Sequence, residues 1–263
     1  MPDLIPKQNE PIAIQATEII ENETAGAVAR ANPRQIDQVI EYARALVLID
    51  EESAAECFYA LKRGKQDGGD AFIEGPSSRF AEIMLAAWGN CEAGSRVVEV
   101  GEKMVRVEGY LIDLERNNRI AVEVSRRITS RNGRRYSEDM IQTTANAANS
   151  IAIRNAILKG IPKPIWGKIF DLARKHAVGD ASTLEAKRDS MLAHFRKLTV
   201  DPEEVAKFLD RKSIEEITLE DLGRMRGVAN AIRDGDSTVD DAFGRSPRPG
   251  GKIGTASKIK GIE

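Results

Sequence analysis

The stretch "RVVEVGEKMVRVEGYLIDLERNNRIAVEVSRRITSRNGRRY", residues 96–136, decides the fold. Its segments "RVVEV", "MVRVEGYLIDL" and "IAVEVSRRITS" are rich in Val and Ile, alternate in part, and are separated by the turn-like "GEK" and "ERNNR". That pattern predicts a three-stranded antiparallel meander. In the third strand Ile120, Val122, Val124 and Ile128 share one face, while Glu123, Ser125, Arg127 and Thr129 share the other. Strict alternation puts Arg126 on the apolar face, so the strand is expected to leave the core or to bulge there. Immediately afterwards comes a run of charge: Ser125 to Tyr136 holds Arg126, Arg127, Arg131, Arg134 and Arg135 and no acid.

Helices are expected on both sides of the meander, which makes the fold class α+β. Upstream, "NPRQIDQVIEYARALVL" reads as a helix with Asn32 as N-cap and Pro33 in its first turn. A second helix is expected from about Glu51 to Gly64 with Asp50 as its cap, followed by a Gly-rich loop through "GKQDGGDAFIEGPSS". Ser77 and Ser78 announce a third, "RFAEIMLAAWGN", stopped by Gly89. Downstream, Ser137 caps the helix "EDMIQTTANAANSIAIRNAILK", with acids in the first turn and Gly160 after its end. Ala145, Ala147, Ala148, Ala152 and Ala156 keep its surface small, so a neighbouring sheet or helix can approach closely.

Four regions follow from these signals: an N-terminal arm over residues 1–30, a core over 31–200, a small helical module over 201–243, and a flexible basic tail over 244–263. The module carries twelve acids and six bases, a net of -6, and is punctuated by Asp201-Pro202 and by Thr218 before "LEDL". The whole chain of 263 residues carries a formal net charge of only -2, so a nucleic-acid surface has to be local. Two cysteines, Cys57 and Cys91, are too few for a disulfide framework, and a reducing compartment, the cytoplasm, is expected. No apolar run is long enough for a membrane span, so no membrane partner is expected.

The arginine run has a plain reading, a solvated turn, and a functional one, phosphate binding. Its freedom from acids and the following Tyr136, a possible stacking residue, favour phosphate. Arginine forks also bind phosphate bidentately or stack on an unpaired base, which favours nucleic acid over a diffuse acidic partner. Arg154, Lys159, Lys163 and Lys168 extend the positive track from the next helix. Trp88 reads as core; Trp166, beside Pro164 and Gly167, reads equally as core or as a base-stacking side chain. Asp113 and Glu123 on adjacent strands faintly resemble the Asp…Glu-x-Lys pattern of magnesium nucleases, but Ser125 stands where the lysine belongs, and no metal is assigned. His176 and His194 have no companion ligands in sequence, and "GGKIG" lacks the spacing of a phosphate-binding P-loop. No nucleotide or other cofactor is expected.

In order and pattern, "SSRFAEIMLAAWGN", the meander, and "TTANAANSIAIRNAILKGIP" resemble the core of phage single-strand DNA annealing proteins, the superfamily that includes RecT, Red-beta and Erf. The likeness covers roughly residues 33–200. It implies an ATP-independent, non-enzymatic protein that binds single-stranded DNA and anneals complementary strands in homologous recombination, as a ring or helical oligomer. DNA would lie on basic residues from the sheet loop and the following helix, here Arg126, Arg127, Arg131, Arg134, Arg135 and Arg154. The resemblance further implies that residues 201–243 recruit an exonuclease or a host single-strand-binding protein. The acidity of this module fits poorly with an acidic-tailed partner. A magnesium-dependent nuclease and a non-catalytic assembly protein are the alternatives.

Overall fold

The structure, a computed structural model, describes residues 23–66, 69–130, 132–178 and 184–245, with the backbone alone for residues 63–66 and 69–71. In chain order the elements are α1 (23–31), α2 (Ile36–Val47), α3 (Glu51–Ala55), β1 (Phe58–Gln66), β2 (Gly69–Pro76), α4 (Ser78–Trp88), β3 (Cys91–Val100), β4 (Met104–Asp113) and β5 (Asn118–Arg127). There follow α5 (Glu138–Gly160), α6 (Lys163–Val178), α7 (Leu184–Lys197), α8 (Pro202–Phe208), a short 3-10 turn (Ile214–Glu216), α9 (Leu219–Arg233) and α10 (Val239–Ala242). This is an α+β fold.

The meander forms as the sequence predicts, an antiparallel sheet in the order β3-β4-β5. Its central strand alternates cleanly: Val105, Val107, Gly109, Leu111 and Asp113 are buried, and the residues between them are not. The buried face is covered by α5, whose Ala145, Ala148 and Ala152 join Val105, Val107, Ile128 and Ile141 in one apolar cluster. A Cβ at Gly109 would overlap the Ala152 carbonyl, so the helix crosses β4 at a distance that only glycine permits. At the end of α5, Ile157 and, just past the helix, Ile161 meet Val39, Val47, Phe80, Met84, Trp88, Leu111 and Ile169, which draws α2, α4 and α6 into the main core. The caps of α4 and α5 are those expected: the Ser77 and Ser137 hydroxyls accept from the Phe80 and Met140 N–H groups.

Several expectations need correction. The helix from Glu51 stops at Ala55, and residues assigned to its second half and to the Gly-rich loop form a β-hairpin, β1 paired antiparallel with β2. The expected Asn32 cap is also displaced. Helix α2 starts at Ile36, and Asn32 instead bonds back to the Val28 carbonyl of α1. Of the arm, residues 1–22 lie outside the described residues, while 23–31 are helical and bury Ala29. Strand β5 does not bulge at Arg126; its register with β4 is unbroken to Arg127, and the irregularity of the sheet falls in β3 between Val97 and Glu99.

The module over 201–243 is docked rather than free. Its Val205, Phe208, Leu209, Ile217, Leu222, Met225 and Val228 share one cluster with Met191, Leu192 and Phe195 of α7 and Ala60 of β1. Of the expected tail, Gly244 and Arg245 are described, and Arg245 is held by Glu204 and by the Thr199 carbonyl; residues 246–263 lie outside the described residues. No helix among the described residues is long and apolar enough to cross a membrane.

Candidate nucleic-acid interface

Past Arg127 the chain closes on itself before entering α5. The Ile128 N–H donates to the Lys103 carbonyl at 2.9 Å, and the Tyr136 N–H donates to the Ile128 carbonyl at 2.9 Å. Between them Thr129 and Arg135 form an antiparallel bridge, and the Ser130 N–H donates to the Arg134 carbonyl at 2.8 Å. The Arg135 guanidinium reaches across to the β3–β4 turn, where its Nη1 donates to the carbonyls of Gly101 at 2.6 Å and Glu102 at 3.1 Å. This staple gathers Lys103, Arg127, Arg134 and Arg135, all exposed, at one end of the sheet. Beside them lies a shallow groove of about 460 Å³ lined by Ser130, Arg134, Arg135, Tyr136, Ser137 and Met140.

The residues expected to bind DNA divide into three sets. Arg127 and Arg134 are exposed, and no hydrogen bond or ion pair engages either side chain among the described residues. Arg135 is exposed but committed to the turn carbonyls, so it shapes the loop as well as charging it. Arg131 lies outside the described residues. Tyr136 is half-buried against the cluster of Val105, Val107 and Ile128 and forms a wall of the groove rather than a free platform.

The second set has turned away from solvent. Arg126 stays on the helix-covered face and donates through Nη2 to the Gly235 carbonyl. Arg154 is 7% exposed; its Nη1 pairs with Asp236 Oδ2 at 2.6 Å, and its guanidinium lies 4.8 Å from the centre of the Tyr59 ring. Neither joins the exposed cluster, which corrects the expectation of a continuous track along α5. The third set, Lys159 and Lys163, is exposed, but Lys159 stands 21 residues into α5, about 30 Å from the arginine loop at 1.5 Å per residue. Lys163 places its ammonium 5.9 Å from the centre of the Trp166 ring. Trp166 itself donates to the Leu158 and Ile161 carbonyls and packs edge-on against Phe80, as a core residue does. Lys103 is the cation that sequence reasoning missed; the β4–β5 register, with Met104 opposite Arg127 and the Ile128 N–H on the Lys103 carbonyl, brings it to the arginines.

The two carboxylates of the nuclease alternative do not converge. Glu123 is on the exposed face of the sheet and Asp113 on the covered one. Asp113 accepts from Arg34 at 2.5 and 2.8 Å and from the backbone N–H groups of Glu115 and Arg116, all inside the core margin. The Arg34 guanidinium lies 4.2 Å from the centre of the Trp88 ring. Burial works to raise the Asp113 pKa, but the Arg34 and Arg116 hydrogen bonds outweigh it and hold the carboxyl below its ordinary range. Asp113 is therefore the counter-ion of a buried arginine. Among the described residues no group of three or more His, Cys, Asp and Glu side chains is placed to hold a metal ion. Burial pushes the thiols of Cys57 and Cys91 up to about 12 and about 11, so both stay protonated at neutral pH.

Comparison with protein-family models, with curated proteins and with solved structures gives no match for this chain.

Proposed function

We propose that this chain is an ATP-independent single-strand DNA annealing protein of the RecT, Red-beta and Erf type, acting as an oligomer in homologous recombination. The observation that carries the reading is the exposed end of the sheet, where Arg127 and Arg134 stand without partners among the described residues, beside Lys103 and Arg135. An extended strand laid there would meet several cations and no obligatory base contact, so its bases would stay open to pairing. Neutralising the phosphates also lowers the repulsion that a second strand meets, and Watson–Crick pairing then supplies the discrimination. No nucleotide cofactor and no catalytic residue enters this scheme. Its ligands are single-stranded DNA and the annealed duplex, in the cytoplasm.

One subunit offers only a short basic surface, which is why self-assembly belongs to the proposal. Residues 201–243, with their net charge of -6, oppose phosphate and suit a protein partner such as an exonuclease or a host single-strand-binding protein. The test is annealing of complementary fluorescent oligonucleotides without ATP, followed by electron microscopy of the products. Accelerated annealing with rings or filaments on the DNA is expected. Magnesium-dependent loss of strands would favour a nuclease instead, and assembly without any DNA binding would favour a purely structural protein.

A further inference from the structure

Two arginines from different elements converge on one turn. Arg126 of β5 donates to the Gly235 carbonyl, and Arg154 of α5 pairs with Asp236, the next residue along. The turn, residues 234–237, links α9 to α10 and lies pressed on α5: a Cβ at Gly235, where φ is +78°, would overlap Ala147. Arg154 and Asp236 have side chains only 8% and 6% exposed. The tyrosine ring of Tyr59 forms the floor under Arg154.

We propose that Arg126, Arg154 and Tyr59 form a masked phosphate site for single-stranded nucleic acid, closed by the acidic turn 234–237, which the strand displaces. The inference rests on the function proposed above and extends it to a site that is shut in the free protein. The chemistry is an exchange of anions. A guanidinium that loses a carboxylate and gains a phosphate oxygen remains paired, so opening leaves no bare charge in the core, whereas removing the turn with nothing in its place would. Both oxygens now occupying the arginines, a carboxylate and a carbonyl, are acceptors of the kind a phosphodiester supplies. Tyr59, its ring against the Arg154 guanidinium on one side and Gly75 on the other, holds that cation in place while the anion is exchanged.

The closed turn is also incompletely satisfied. Asp234 uses Oδ1 to accept from Arg233 at 3.1 Å, while its Oδ2 is buried with no hydrogen-bond partner among the described residues. Opening returns that oxygen, and the Asp236 carboxylate, to water. Arg126 adjoins Arg127 in β5 on the opposite face, so a strand on the exposed cluster reaches the masked site by passing the end of the sheet. The segment's net negative charge then sets a threshold: short or weakly held strands leave it closed.

The experiment is a salt titration of a fluorescent dT oligonucleotide, by anisotropy, on the full chain and three variants. Asp236→Asn is expected to bind on the order of tenfold more tightly, with a slope of log K against log salt steeper by about 0.7 for each added phosphate contact. Arg154→Ala combined with Asp236→Asn is expected to lose that gain. Glu203→Gln, which removes an exposed charge from α8 of the same acidic module and not from the turn, is expected to behave as wild type. A gain that survives loss of Arg154, or an Asp236→Asn variant indistinguishable from wild type, overturns the masked site while leaving DNA binding by the exposed arginines intact. No binding by any form overturns both. Should Asp236→Asn fail to fold, hydrogen exchange on the wild type decides: dT should expose the Gly235 and Ser237 amides, which donate to the Ile232 and Ala231 carbonyls in the closed turn. Unchanged protection of those amides in the DNA complex would overturn the proposal.

Discussion

Arg34 does more for this fold than its place in a presumed helix cap suggests. Its guanidinium is paired with Asp113, its backbone N–H donates to Glu115 at 2.9 Å, and Asn90 ties the same loop to the Asn32 carbonyl at 2.8 Å. These bonds anchor the start of α2 to the β4–β5 end of the sheet. Arg34→Met should therefore cost about 3–5 kcal/mol at neutral pH, because it strands a buried carboxylate. Urea denaturation at pH 7 measures it. The sign with pH follows from the depressed pKa of Asp113. Its ionised form stabilises the fold above the ordinary value of 3.8, and that contribution is lost as the pH falls through the lower folded value. Asp113→Asn should flatten the acid limb of the stability curve. None of this was legible in the sequence: "NPRQ" satisfies the local rules for a helix start, and the residue that overrules them lies 79 positions away.

At the scale of elements, segments with one dominant period were legible and those with a distant partner were not. The meander, α4 and α5 carry their own alternation, spacing and caps, so local rules sufficed. The β1–β2 hairpin does not. "ECFYALKRG" has helical composition, and it is strand because Ala60 and Phe58 are buried where α9 crosses. There Asn230 Nδ2 donates to the Ala55 and Phe58 carbonyls at 2.8 and 2.7 Å, and a Cβ on Gly227 would sit 2.8 Å from the Ala60 Cβ. The same contacts revise what a truncation does. A chain ending at Val200 would uncover Ala60, Met191, Leu192 and Phe195. Such a chain should melt at a lower temperature and lose hydrogen-exchange protection in β1 and α7 before α5. Equal melting temperatures for the two lengths would mean that residues 201–243 add no packing to the core.

At the scale of the molecule, the question is where a nearly neutral chain keeps its positive charge. The sequence located the arginine loop correctly but treated its arginines as equivalent, because alternation says which face a residue takes and not what will cover it. Folding sorts them. Arg126 and Arg154 go to the turn before α10, Arg135 to the β3–β4 turn, and Arg127 and Arg134 remain for a ligand, joined by Lys103 through strand register. On the wet face of the sheet the other arginines are already matched, Arg96 and Arg119 with Glu108 and Arg106 with Glu99. Within the sheet, the exposed end is thus where, among the described residues, arginines stand without an acidic partner, and it is there that the proposed DNA strand would lie. The most direct test is a salt titration of labelled single-stranded DNA with wild type and the Arg127→Ala, Arg134→Ala double variant, both first confirmed folded by circular dichroism. Loss of two phosphate contacts should weaken binding to every sequence alike and flatten the slope of log K against log salt by about 1.4. Identical affinities and identical slopes for the two proteins would contradict the account, returning the arginine loop to the solvent.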